Sequence, residues 1–147
     1  MASKGKWNLK LSLDAAVKAH YMHLMNLPEL TAFAVEVVDS TIAGLPDEIR
    51  ELAEKVPVHY QSQPHETVQA EGFDTDILGF FTGQPYGTEF QSNHPAPSQI
   101  LLYLDNIWAW TGREITGFKE EVHLTYLHEL GHYFGWDEED LAARGLD

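Results

Sequence analysis

The chain has 147 residues, no cysteine and a formal net charge of −14, from 9 Lys and Arg against 23 Asp and Glu. This length suits one domain, and hydrophobic residues, at 44% of the chain, are numerous enough to form a core. The lack of cysteine excludes disulfides, thiolate metal sites and a cysteine nucleophile. The acidic charge argues against a nucleic-acid partner. No apolar run approaches the roughly 20 residues of a membrane span, so we expect no membrane partner either.

The first 27 residues differ in charge from the rest of the chain. They carry four Lys against one Asp, a net of 4 − 1 = +3, whereas residues 28–147 carry 5 − 22 = −17. Polar residues interrupt the stretch after the lysines, which is therefore not typical of a signal peptide, and we expect a cytoplasmic protein. We interpret residues 1–30 as an N-terminal extension, an arm or strand followed by a helix, and residues 31–147 as the main domain.

The spacing of apolar residues predicts the elements in chain order. Six helical segments are predicted: one ending before Pro28, one from Pro28 or Thr31 to Ala43, one from Asp47 to Lys55, a turn at 107–110, one from Thr116–Phe118 to Gly135, and one from Asp137 to Arg144. Beyond a possible strand in the arm, the predicted strands are Val56–Gln61, Ile77–Phe81 and Ile100–Leu104. Residues 62–76 and 84–98 are predicted to be loops. Several helices with few strands indicate an α+β fold.

Two of the predicted helices have a clear apolar face. On the helix that ends at Ala43, the residues predicted to point inward are Phe33, Val37, Val38 and Ile42. On the last long helix, an apolar stripe at a spacing of four is formed by Phe118, Val122, Tyr126, Leu130 and Phe134. Gly44 and Gly135 are expected to end these two helices.

The last long helix carries the sequence His128-Glu129-Leu130-Gly131-His132, an HExxH motif. Residues four apart lie about 40° apart around a helix axis and one turn along it, so both imidazoles can bind one ion. Neutral imidazole nitrogens are ligands of tetrahedral Zn²⁺, and we therefore expect His128 and His132 to bind Zn²⁺. Glu129 points to the neighbouring side, where it can act as general base on a metal-bound water. A chance match is expected only about 0.04 times in a chain of this composition.

The third metal ligand is predicted from the acidic residues that follow the helix. In HExxHxxGxxH sites it lies ten residues after the first His, a position that Glu138 occupies here. Glu138 is therefore our choice, with Asp137 and Glu139 as alternatives and His94 as a less favoured candidate outside the cluster. Asp137 also suits the N-cap of the last helix, so at least two of the four acids at 137–140 are expected to stabilise that helix only.

Glu121 shares the helix face of His128 but lies seven residues before it, about 10.5 Å along the axis. It is better placed to contact a substrate or to support the site than to bind the ion, and a solvated surface charge is the simpler alternative. The other histidines have no ligand spacing with a partner acid and are interpreted as structural or exposed; they are His20, His23, His59, His65 and His123.

The stretch from Val122 to Leu141, with its HExxHxxG helix, acids and Leu, resembles the small bacterial zincin-like family of predicted metallopeptidases. Weaker similarities follow the family's order at Phe33–Arg50, Ile77–Pro85 and Ile100–Leu104, so the resemblance covers about residues 33–141. It implies a minimal zincin fold, with the active helix packed under a small mixed sheet, and a peptide or protein substrate. It also implies that Ile100–Leu104 rims the cleft and can hold an extended peptide.

Two functions follow from these patterns. The first is a zinc-dependent peptidase or amide hydrolase that uses Glu129 as its base. The second is a metal-binding or protein-interaction domain without turnover, in which Trp108, Trp110 and Trp136 would contribute to an interface. Burial of all three Trp in the core is nevertheless their expected fate.

Overall fold

A computed structural model of the chain describes residues 25–91, 93–94 and 96–145. The predicted arm and the helix ending before Pro28 lie almost wholly outside these residues. The described residues form six α-helices: α1 (Leu27–Ala43), α2 (Asp47–Ala53), α3 (Glu66–Ala70), α4 (Leu104–Trp110), α5 (Ile115–Phe134) and α6 (Glu138–Ala143). The strands are β1 (Val58–Gln61), β2 (Gly79–Thr82) and β3 (Gln99–Tyr103), and a 3₁₀ turn covers Glu89–Gln91.

The three strands form a small mixed sheet in the order β1-β3-β2. β1 runs parallel to β3 with Tyr60 opposite Leu102, and β2 runs antiparallel to β3 with Phe80 opposite Leu101. The α+β class and the mixed sheet expected from the sequence are confirmed. The expectation that Ile100–Leu104 rims the cleft and holds an extended peptide is wrong. This segment forms β3, which is paired on both sides and has no free edge to which a peptide could add. The edge strand beside α5 is β2.

The long helix α5 packs across the sheet and beside α1, and these contacts form the core. The predicted stripe on α5 is confirmed for Phe118, Val122, Tyr126 and Leu130, which are all buried, while Phe134 is half-buried. Ile100 and Leu102 of strand β3 are fully buried in the same core. The apolar pattern of the sequence thus fixes which side of α5 faces the core, and this also decides where the HExxH side chains point.

Three local expectations differ from the structure. The predicted loop at 62–76 contains the short helix α3, which His65 caps by accepting a hydrogen bond from the Thr67 N–H. The most buried apolar residues of α1 are Leu30, Ala34 and Val38, so the inward face is rotated from the predicted one. Burial of all three Trp is wrong, since Trp108 is buried but Trp110 is 71% exposed at the end of α4.

Candidate metal centre

The two histidines of the motif meet on one face of α5. The distance from His128 Nε2 to His132 Nε2 is 3.3 Å, and their rings lie edge to face with centroids 4.8 Å apart. Both side chains are exposed, so the shared space between the two nitrogens is open to solvent. The convergence of imidazoles expected from the spacing of four residues is what the structure has.

This arrangement fits a tetrahedral metal ion. Two nitrogens that each lie about 2.0–2.1 Å from one tetrahedral ion are about 3.3 Å apart, which is the separation found here. A carboxylate oxygen of Glu129 completes a group of three potential ligand atoms that all lie within 4.8 Å of one another. The two rings therefore need little rearrangement to bind a divalent cation.

Glu129 is the buried member of this group, with 7% of its surface exposed. Burial raises the pKa of its carboxyl group to about 7, and a hydrogen bond from the Phe81 backbone N–H acts in the opposite direction. A carboxyl group that titrates near neutral pH is suited to accept and return protons. Its contact with Phe81 ties this carboxyl group to strand β2.

His132 is affected by the same surroundings. Burial lowers the pKa of its imidazole, and the neighbouring His128 lowers it further. Both effects favour the neutral ring, which is the form that donates a lone pair to a metal ion.

Strand β2 reaches the metal centre because Gly79 has no side chain. A Cβ atom at this position would lie 2.7 Å from Thr125 Cγ2 and 3.1 Å from Glu129 Cγ. The Tyr103 N–H donates to the Leu78 carbonyl at 2.9 Å. In an antiparallel pair of strands, residues whose backbone groups bond to the partner strand alternate with residues whose groups point away from it. Because Leu78 bonds to β3, the backbone N–H and C=O groups of Gly79 and Phe81 point away from β3, toward the outer edge of the sheet. The sequence motif gave no sign of this close approach.

The end of α5 turns the chain back toward the site. Gly135 adopts a left-handed conformation with φ 73°, and the Trp136 N–H donates to the Gly131 carbonyl at 2.8 Å, as in a Schellman motif. Helix α6 then packs on α5, where a Cβ at Gly131 would lie 3.0 Å from the Leu141 side chain. The expected stop at Gly135 is confirmed, and Gly131 is a second small residue that lets a neighbouring element approach.

The four acids after this turn divide into two pairs. Asp137 and Asp140 form a capping box, with each carboxylate accepting the backbone N–H of the other. The expectation that at least two acids stabilise α6 is thereby confirmed. Glu138 and Glu139 are exposed in the first turn of α6, and neither is in the three-residue ligand group. Glu138 as third ligand stays a prediction.

The other histidines of the described residues lie away from this group. His123 Nδ1 is 2.8 Å from Thr41 Oγ1, a contact that links α5 to α1, and His65 caps α3. His59 is exposed on β1, and His94 is exposed between β2 and β3. The interpretation of the first three as structural or exposed is confirmed, and His20 and His23 lie outside the described residues.

A cleft of about 350 Å³ adjoins the metal centre between β2 and α5. Its lining residues are Ile77, Leu78, Gly79, Glu121, Leu124, Thr125, His128 and Glu129. The Thr125 hydroxyl donates to Glu121 Oε1 at 3.2 Å, so the side chain of Glu121 lies along the cleft. Glu121 is not in the three-residue ligand group, and its role toward a substrate stays a prediction.

A helix with an HExxH motif, packed under a small mixed sheet whose edge strand contacts the glutamate, defines a zincin-like domain. The chain belongs to the zincin-like metallopeptidase family, whose model matches residues 53–146. The match includes the whole sheet, α5 and α6, while α1 lies before it and still contributes Leu30, Ala34 and Val38 to the core. The family resemblance noted from the sequence is confirmed, and membership implies a divalent metal ion. A search of curated proteins found no significant match.

Among the described residues, no helix combines the length and the apolar character needed to cross a bilayer. The expected cytoplasmic location stays a prediction.

Proposed function

We propose that this protein is a zinc-dependent peptidase that hydrolyses amide bonds of peptide or protein substrates. The observation that carries this proposal is the 3.3 Å separation of His128 Nε2 and His132 Nε2 beside the buried carboxyl group of Glu129. Two metal-binding imidazoles without a base would suit a structural site, whereas a carboxylate oxygen within 4.8 Å of both ring nitrogens suits hydrolysis. Membership of a metallopeptidase family supports the same reaction.

In this proposal Glu129 moves the proton. The chemistry that a bound Zn²⁺ supplies is Lewis-acid polarisation of the scissile carbonyl and activation of water. Glu129 accepts a proton from the attacking water as the new C–O bond forms, and it returns that proton to the amide nitrogen as the C–N bond breaks. The Phe81 N–H holds the carboxylate in place. In the zinc-free protein burial raises the pKa of Glu129 to about 7, and burial of the charged carboxylate favours its uptake of a proton.

We further propose that the substrate binds along the outer edge of β2. Addition of an extended peptide to a sheet edge uses the backbone N–H and C=O groups of that edge. The outward groups of β2 belong to Gly79 and Phe81, and the Phe81 N–H already contacts the catalytic carboxylate. A peptide paired with Gly79 would therefore pass directly in front of Glu129.

The proposal is tested with Glu129→Gln. We expect the variant to bind zinc as the wild-type protein does and to lose at least about 100-fold in cleavage of an unfolded protein such as casein, because it lacks a proton acceptor. Zinc content is measured by elemental analysis, and cleavage by mass spectrometry of the products. Full activity of the variant would exclude this mechanism. Stoichiometric zinc without cleavage by the wild-type protein would favour the non-catalytic metal-binding alternative.

Glu138 is proposed as the third zinc ligand, and Glu139 offers a matched control. Both are exposed glutamates in the first turn of α6, and neither takes part in the capping box. We expect Glu138→Gln to weaken zinc binding by about 10- to 100-fold in competition with a chelator, because one charged ligand is lost. Glu139→Gln should change it less than twofold. The reverse order would assign the ligand to Glu139.

A further inference from the structure

We propose that the cleft beside the metal centre selects a basic side chain of the substrate, and that Glu121 is the residue that determines this specificity. The inference rests on the proposed function, because it names a substrate class for the same site. It concerns a residue that takes no part in metal binding or proton transfer.

The position of Glu121 relative to the metal centre fits a side-chain subsite. Glu121 and His128 are separated by seven residues, two turns of α5, so both project from the same helix face about 10.5 Å apart. Both line the same cleft, with Thr125 and Leu124 between them. A peptide with its scissile bond at His128 can therefore place a neighbouring long side chain toward Glu121.

The walls of the cleft between these two points are largely apolar. Leu124 is 45% exposed, and Ile77 and Leu78 are half-buried on the opposite side. Lys and Arg have aliphatic stems that pack on such surfaces while the charged end reaches a polar partner. A purely aliphatic side chain would fill the walls and leave the carboxylate of Glu121 without a partner.

The carboxylate of Glu121 is positioned and electrostatically available. The Thr125 hydroxyl donates to Oε1 at 3.2 Å, which orients the group and leaves Oε2 for a ligand. Within the described residues Glu121 makes no ion pair, and the nearby Lys119 instead places its ammonium group 4.9 Å from the Phe33 ring centroid. Glu121 therefore offers an uncompensated negative charge to an incoming cation.

The test measures binding, so that it does not depend on turnover. The probe is a set of fluorescein-labelled octapeptides of Gly, Ala and Ser that carry one Lys, norleucine or Glu at each position in turn. Binding to zinc-loaded Glu129→Gln protein is followed by fluorescence anisotropy. We expect Lys to lower the Kd about two- to fivefold relative to norleucine at one position, and Glu to raise it, as for a partly exposed ion pair. The Lys preference should shrink in 0.5 M NaCl.

Glu120 provides the matched control, because it is an exposed glutamate on α5 that lines the groove toward α1 and not this cleft. Glu121→Gln, added to the Glu129→Gln protein, should abolish the Lys preference, and Glu120→Gln should keep it at the same net charge. An unchanged preference in Glu121→Gln, an equal loss in Glu120→Gln, or no binding by any peptide would overturn the inference. If the wild-type protein cleaves casein without a basic preference at any position, the peptidase proposal stands and this inference falls. If peptide binding depends on Glu121 but the wild-type protein cleaves no substrate, this inference stands and the peptidase proposal falls.

Discussion

The carboxyl group of Glu129 is almost fully buried, and this destabilises its charged form in the zinc-free protein. Its pKa is about 7 in the folded state against 4.5 for the free side chain. Between these values the folded state holds a proton that the unfolded state has lost, so the free energy of unfolding falls as pH rises through this window. Above about pH 7 the full loss of stability from burying the ionised carboxylate is present. This linkage gives a test of the burial that is independent of catalysis.

We expect Glu129→Gln to remove most of this pH dependence. A shift of about 2.5 pKa units corresponds to roughly 3 kcal/mol, so the zinc-free variant should be more stable than the wild-type protein at pH 8 by about 2–3 kcal/mol. At pH 5 the difference should be small. Urea unfolding in EDTA at the two pH values measures this, with the exposed Glu120→Gln as control. Equal pH dependence in wild type and Glu129→Gln would contradict the assigned burial.

At the level of single residues, the sequence predicts what depends on local spacing. The grouping of His128, Glu129 and His132 could be predicted because one helical turn determines their relation, whatever surrounds the helix. The Phe81 contact could not be assigned, because it joins residues 48 positions apart through a strand whose pairing the sequence leaves open. Glu138 lies between these cases, since its place depends on how the chain turns after Gly135.

At the level of elements, strand β2 and helix α5 can pack closely because residue 79 is a glycine. An added Cβ would meet Thr125 Cγ2 at 2.7 Å and the Leu101 carbonyl oxygen at 3.2 Å, so the strand or the helix would have to move. We expect Gly79→Ala to lower the free energy of unfolding by about 1–3 kcal/mol, as overpacking does. It should also reduce cleavage, because the new atom lies 3.1 Å from Glu129 Cγ.

The control for Gly79→Ala is Gly44→Ala. Gly44 follows α1 with φ −86°, and a Cβ there would come no closer than 3.6 Å to its neighbours. This substitution should leave stability unchanged or raise it slightly, because it reduces the conformational freedom of the unfolded chain. Chemical unfolding of both variants, with zinc affinity measured alongside, separates packing from metal binding. Equal stability of the two variants would mean that β2 does not approach α5 as closely as described.

The elements themselves were predictable where signals at both ends agree with the apolar pattern. Helix α5 was located within a few residues because an apolar stripe leads to a Gly that ends it. Helix α3 cannot be predicted in this way, since a segment of five residues in a polar stretch carries too little periodicity. The central place of β3 cannot be predicted for a different reason: strand order depends on pairing across the sheet, and a run of five apolar residues only indicates burial.

For the molecule as a whole, the α+β class follows from the number and order of the predicted helices and strands. The strongly acidic charge is a separate property, which this fold does not require. The chain carries −14, and the ion pairs seen in the described residues, Arg50–Asp47 and Arg144–Asp140, lie at the surface. Exposed ion pairs contribute little to the stability of the folded state, so their screening by salt lowers that stability little. Repulsion among the remaining carboxylates acts over the whole surface and is weakened by salt.

We therefore expect NaCl to stabilise the zinc-free protein at neutral pH. Raising NaCl from 20 to 500 mM at pH 7.5 should increase the free energy of unfolding by about 1–2 kcal/mol, because screening reduces self-repulsion in the compact state. Near pH 5, close to the isoelectric point of about 4.8, the same addition should have little effect, since repulsion is then small. Thermal unfolding across the two salt concentrations and pH values measures both. A salt effect of equal size at both pH values would assign the stabilisation to general ion effects on hydration rather than to the acidic surface.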